Sequence, residues 1–346
     1  MRLIRLSTVA LLAVFLLLLG FSATAGAAPS AAPRTYTVLV GAESAHRGID
    51  VMAYFPDTVK IHVGDTVHWR QNSNEIHTVT FLGTEPQPPL LLPATPPPSP
   101  LAFNPMAVIP SPPIAGLGNT TTFVNSGLMG REAGQVRSFD LTFTAPGKYH
   151  YLCLVHGVMM SGTVEVVGPA VHIASPGQVH ARGNHQIARQ MAKAPAVVRK
   201  AKRQIQPATE NGDGTLTHYV ALGFSKDQID LMRFFPSKLR VRPGDTVKWA
   251  LSLTDVAPHT VTFLNGSTEP GLVVQGLYIN PDVFFPSSPA PSLTRSGMYN
   301  SGLLVPGSPF TSHEWVIGNI TPGPLPYLCM LHDTSGMRGT LIVLPK

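Results

Sequence analysis

Apolar and polar residues alternate over short stretches of this chain, with few signs of a helical period. TVKIHV from Thr58 and KLRVRP from Lys238 each alternate up to a Gly-Asp turn that leads into TVHW or TVKW. HTVTFL, GTVEVV and GTLIVL are short runs rich in β-branched residues, bounded by Gly, Asn or Pro. A period of two with such boundaries predicts strands. Strands at this spacing predict an all-β fold, a sandwich or barrel of Greek-key type. Prolines crowd the stretch from Pro86 to Pro113, which excludes a central strand there. That stretch is expected to be a long excursion between strands, lying over one end of its domain.

The pattern also repeats. IDVMAYFPDTVKIHVGDTVHW from Ile49 matches IDLMRFFPSKLRVRPGDTVKW from Ile229 without a gap, and HTVTFL recurs at His77 and His259. FNPMAVIPSPP from Phe103 is echoed by INPDVFFPSSP from Ile279, NSGLM at Asn125 by NSGLL at Asn300, and YHYLCLVH from Tyr149 by LPYLCMLH from Leu325. Two copies of one domain follow. The expected organisation is two tandem Greek-key β-sandwiches, residues 34–167 and 215–346, joined by a linker over 168–214. Within the linker, Gln186 to Gln204 is compatible with a helix broken near Pro195. Its apolar residues show no clean helical stripe, so a solvated, partly helical or disordered linker is expected.

Composition supports this picture. Of 346 residues, 13% are charged, about half the usual ~25%, so long surface helices are disfavoured. The 44% hydrophobic content excludes global disorder. The formal charge is +6, but its location argues against nucleic-acid binding. Arg2 and Arg5 stand at the N-terminus, and Arg182, Arg189, Lys193, Arg199, Lys200, Lys202 and Arg203 fall in a stretch, residues 168–209, that has no Asp or Glu. Subtracting those nine charges leaves −3 for the rest of the chain, so the domains are not basic. A basic linker would suit an acidic partner, a cell-wall polymer or a membrane surface.

Arg2 and Arg5 precede an apolar run from Leu6 to Phe21 and the small-residue sequence SATAGAA. This is the order of a secretory signal peptide, residues 1–27, with cleavage after Ala25 or Ala27. The alternative is an uncleaved membrane anchor, but the run is shorter than the ~20 residues that span a bilayer. Export out of the cytoplasm, to the periplasm or cell exterior, is expected.

The chain has two cysteines, Cys153 and Cys329, which in an exported protein first suggest a disulfide. Their surroundings argue otherwise. Each occupies the same place in its repeat, each is followed three residues later by a histidine (His156, His332), and each then meets a methionine (Met159 or Met160; Met337). Each copy also has an upstream histidine, His77 or His259, heading its HTVTFL strand. Two imidazoles, a thiolate and a weak thioether form the ligand set of a blue copper site. Structural zinc sites seldom use methionine, and each copy has one cysteine. Met337 lies two residues before Gly339, and Met160 bears the same relation to Gly162. That register favours Met160 over Met159. His150 alternates to the face opposite Cys153; His62 and His68 have no histidine counterparts, and Trp69 and Trp249 read as core.

At these residues the chain resembles the cupredoxins, the plastocyanin, amicyanin and azurin family of type 1 copper proteins. The motifs are DTVHW, EIHTVTF and YHYLCLVHGVMMSGTV in the first copy, and DTVKW, APHTVTF and PYLCMLHDTSGMRGTL in the second. The resemblance implies copper, one ion per domain, on His77, Cys153, His156 and Met160 and on His259, Cys329, His332 and Met337. It also implies that His156 and His332 lie near the surface, ringed by residues such as Val155, Val158 and Leu331, as ports for electrons.

Single-electron transfer with redox partner proteins is therefore the expected function. Copper storage, delivery or tolerance is the alternative, since it needs the same ligands. Multicopper oxidases and copper nitrite reductases also use such domains, but they place a histidine beside the blue-copper cysteine. Here the neighbours are Leu152, Leu154, Leu328 and Met330, so an enzyme is not expected.

Overall fold

The structure, a computed structural model, describes residues 32–44, 48–131, 135–287 and 292–346. The signal-peptide segment lies outside the described residues. Pro33–Lys346 forms one compact unit built from two β-sandwiches. In the first, Thr35–Ser44 runs parallel to Thr66–Gln71, which pairs with Ser138–Thr142. The facing sheet has the order Thr58–His62, Gly157–Val167, Gly147–Cys153, Thr80–Phe81, Val124–Asn125. The second sandwich repeats this: Leu216–Leu222 beside Thr246–Leu251 and Ser312–Ile317, facing Lys238–Val241, Arg338–Val343, Gly323–Leu328, Thr262–Phe263 and Tyr299–Asn300.

Alternation sends one face of each strand inward, and the largest inward residues meet at the tryptophans. Trp69 is fully buried, with its ring centroid 5.3 Å from Tyr151 and 5.8 Å from Phe81. Trp249 repeats the arrangement at 5.7 Å from Tyr327 and 5.8 Å from Phe263. Edge-on aromatic packing of this kind stabilises beyond the area it buries.

The two sandwiches join around a local two-fold axis. Ile229–Leu231 leaves its own half and pairs antiparallel with Ile49–Phe55, with Asp230 opposite Asp50, Ile229 opposite Val51 and Leu231 opposite Ile49. Asp50 and Asp230 are equivalent positions of the repeat, so the segment pairs with its own counterpart. This is the isologous geometry of a symmetric dimer, here within one chain. An apolar cluster containing Leu39, Val51, Phe55, Phe224, Ile229 and Phe235 seals the joint.

Two features differ from expectation. The proline-rich excursion does not merely cover one end of its domain, because it too meets its counterpart. Ala102 bridges Tyr278, the Phe103 N–H donates to Leu277 O at 2.8 Å, and the Ile279 N–H donates to Leu101 O at 3.3 Å. The linker is not a solvated tether. Ser175 and Gln178 form a capping box that starts the helix Pro176–Met191, and Pro195 falls in the first turn of a second helix, Ala194–Lys202. Ala194, Val197 and Ala201 are buried in the joint between the halves. Alanine makes most of that buried stripe, and it is too weakly apolar to stand out in the sequence.

Candidate metal centres

In each half the upstream histidine stands shortly before a short strand, Thr80–Phe81 or Thr262–Phe263, while Cys153 ends the strand Gly147–Cys153 and Cys329 follows Gly323–Leu328. A register shift after Leu152 places Cys153 opposite Gly157, so the chain turns back and carries His156 beside the thiol. In the second half the His332 N–H donates to Cys329 O, the Met337 N–H to His332 O and the Cys329 N–H to Met337 O, at 3.2, 3.0 and 3.0 Å. The backbone of each upstream histidine is locked by reciprocal bonds, His77 to Met129 and His259 to Leu304.

These contacts bring the donor atoms together. His77 Nδ1 lies 3.2 Å from His156 Nδ1, which lies 3.4 Å from Cys153 Sγ. In the second half His259 Nδ1 and His332 Nδ1 are 3.0 Å apart, with Cys329 Sγ 3.8 and 3.5 Å from them. Such separations are those of donors that share one ion at ~2.0–2.3 Å each. Each set lies within 4.8 Å overall. Both cysteines are free and buried, so no disulfide joins them. Met160 and Met337 are fully buried in the cores that hold Cys153 and Cys329, whereas Met159 is 44% exposed.

The set fits copper. In each half the Nδ1, Nδ1 and Sγ donors converge among buried residues, with outer partners of their own at the sulfur and at the upstream histidine. Each sulfur accepts a backbone N–H at 3.4 Å, from Thr78 or Thr260. Each ring presents its other nitrogen to an oxygen: His77 Nε2 to Ser73 Oγ at 3.1 Å, His259 Nε2 to Asp255 Oδ2 at 2.9 Å. Such partners fix ring orientation for a metal. His150 faces outward onto Thr163, and His68 pairs with Asp140, both away from the centres.

The remaining two rings depart from expectation. His156 and His332 do not reach the surface as electron ports, because their side chains are 6% and 4% exposed. The pairing of Ile49–Phe55 with Ile229–Leu231 turns both histidine edges toward the joint. There His156 Nε2 lies 3.9 Å from Glu75 Oε1 and His332 Nε2 lies 3.6 Å from Glu75 Oε2.

The metal-free charges differ between the halves. In the first, burial pushes His77 well below the usual imidazole value and His156 down to about 3, and pushes the Cys153 thiol up to about 11. In the second, burial opposes charge but is overridden. The Asp255 carboxylate holds His259 well above its usual value, Glu75 and Cys329 raise His332, and the two imidazoles pull Cys329 well below the usual thiol value.

Several supporting residues repeat in the sequence without announcing a role. Thr78 and Thr260 accept the Leu154 and Met330 N–H at 2.8 Å, tying the turn after each cysteine to the residue after each upstream histidine. Asn125 and Asn300 accept from Thr80 and Thr262, while Ser126 and Ser301 accept the Val79 and Val261 N–H. The repeated NSGL motif is thus the brace behind the HTVTFL strand. Glu75 has no such signal, because the residue two before His259 is Ala257.

Residues 42–167 match the model of the copper-binding plastocyanin/azurin family. Similar solved structures include a Cu(I) methionine-to-glutamine variant of amicyanin, at 20% identity over 38% of this chain and 82% of that one, with a TM-score of 0.23. Another is amicyanin from Paracoccus versutus, at 19% identity over 38% and 81%, with a TM-score of 0.23. No curated protein matches the chain. Residues 42–167 therefore match the copper-binding plastocyanin/azurin family, and their His–Cys–His set recurs in the second half of the chain.

Proposed function

We propose that this is an exported electron-transfer protein that holds one copper on His77, Cys153, His156 and Met160 and another on His259, Cys329, His332 and Met337. The convergence of two imidazoles and one thiol in each half carries the reading. Bound there, copper would supply a one-electron couple. The chain supplies the rest. Braced strands hold the donors in one arrangement, Thr78 and Thr260 direct N–H dipoles at the sulfurs, and the surrounding core excludes water. A rigid, dry donor set moves little when the charge changes.

The neighbours of the cysteines, Leu152, Leu154, Leu328 and Met330, offer no histidine to relay electrons to a catalytic ion, which favours a carrier over an enzyme. Redox proteins are the expected partners. Export follows from the N-terminal charge and apolar pattern; among the described residues no helix is long and apolar enough to cross a membrane. Arg199, Lys200, Lys202 and Arg203 remain exposed on the linker, which supports docking to an acidic partner, cell-wall polymer or membrane surface.

Copper titration tests the reading. Two equivalents should bind with an intense thiolate-to-copper absorption, and Cys153→Ser and Cys329→Ser should each remove one equivalent and about half of the band. A single equivalent, or two without the band, would refute it. Fast exchange with a redox protein separates a carrier from a store, which would instead pass copper to a metal-free acceptor.

A further inference from the structure

The two centres share an outer residue. His156 and His332 belong to different halves, yet their Nε2 atoms both lie within 4 Å of the same carboxylate, Glu75. That side chain is buried at the joint between the halves. The loop that carries it is pinned from within, since Gln71 Nε2 donates to Ser73 O at 3.0 Å and to Glu75 O at 2.6 Å. The carboxylate is therefore fixed between the two rings, with one oxygen toward each.

Its position next to the two-fold axis explains why only one half provides it. Two equivalent glutamates there would face each other as buried like charges, a costly arrangement. Equivalent segments already self-pair at Asp50 with Asp230. With both halves in one chain the symmetry can be broken at one position, and it is: Glu75 in the first copy, Ala257 in the second.

We propose that Glu75 is a positioning residue for both centres, coupling them so that a carboxylate encoded in the first repeat sets the properties of the metal held by the second. Resting on the copper reading above, this makes the protein a two-electron unit rather than two independent carriers. With copper held on both sets, the edges of His156 and His332 would offer the route by which one electron could exchange between them, with no net change in electrons and no proton required. An ionised carboxylate this close to both ligand rings would favour the more positive, oxidised state of each.

The test uses the copper-loaded full chain. Glu75→Gln keeps the shape and removes the charge. It is combined with Cys153→Ser or Cys329→Ser so that each centre is read alone by spectroelectrochemical titration of its absorption band. The expected result is a rise in both reduction potentials, a change of about tenfold in each reduction equilibrium, or 59 mV for one electron. A rise at the first centre only, or at neither, overturns the proposal. Should Glu75→Gln fail to fold, the unsubstituted protein decides. Its fully oxidised electron paramagnetic resonance spectrum should show dipolar broadening beyond the sum of the two single-centre spectra. A spectrum equal to that sum overturns the coupling. Absence of the absorption band would instead overturn the copper reading itself.

Discussion

Counting back four residues from the first histidine of each centre reaches Ser73 in one half and Asp255 in the other. Both side chains are buried, and both meet the histidine Nε2. One offers a neutral hydroxyl and the other a carboxylate. With the same donors, burial raises the Cys153 thiol beside lowered imidazoles, whereas the Cys329 thiol is lowered beside raised ones. The contrast teaches that a ligand set does not fix the electrostatics of a metal site; the residues around it, Asp255 behind His259 and Glu75 beside His332, do so as well. It also predicts different linkage to protons, with metal binding releasing more protons at the first centre, where the thiol is raised, than at the second, where it is lowered.

The most disruptive way to break this comparison is through the glycine beneath each outer residue. Gly41 and Gly223 occupy equivalent places with φ of +68° and +62°. A Cβ on Gly41 would lie 2.5 Å from both His77 Nε2 and Ser73 Oγ, and one on Gly223 would lie 2.2 Å from Asp255 Oδ2. Gly223→Val adds strain to that clash, so a loss of at least ~3 kcal/mol is expected, together with copper at the second centre. Thermal unfolding and copper stoichiometry check this; two equivalents retained at unchanged stability would contradict it.

A milder change exchanges the electrostatics alone. Asp255→Asn should return Cys329 toward the behaviour of Cys153. In the metal-free protein, between neutral pH and about 11, ultraviolet thiolate absorbance should report one ionised cysteine per chain before the change and close to none after it. Ser73→Ala should leave that absorbance unaltered. Equal effects from the two substitutions would mean that the charge of Asp255 is not what separates the centres.

How much of this was legible in the sequence follows from what repetition reveals. His77, Cys153, His156 and their counterparts recur in matching blocks, so the donors and the strands carrying them could be found by comparing the chain with itself. The same comparison hides whatever the halves do not share. Glu75 opposes an alanine, and Ser73 opposes an aspartate only after a two-residue difference in loop length. The inward turn of His156 and His332 depends on how the halves pack, which no local pattern encodes. The linker concealed its buried face because Ala194 and Ala201 carry too little apolar surface to mark a stripe.

The smallest effect concerns the axis itself. Asp50 and Asp230 face each other across the joint, both buried, and burial followed by neighbouring carboxylates raises both. Asp230 is held at about 7 in the folded chain, whereas an unfolded aspartate titrates near ~3.9. Between those values the folded protein binds the proton that the unfolded chain has released, so stability falls as pH rises from about 4 to about 7 and is level above. Each pH unit is worth ~1.4 kcal/mol. The penalty is shared with Asp50, so Asp230→Asn should recover on the order of 1–3 kcal/mol above pH ~7 and nothing below pH ~4. Denaturant unfolding of the metal-free protein across that range measures it. An unchanged pH slope in Asp230→Asn would show that the axis carries no charge penalty, and that the carboxylates of the joint share a proton instead.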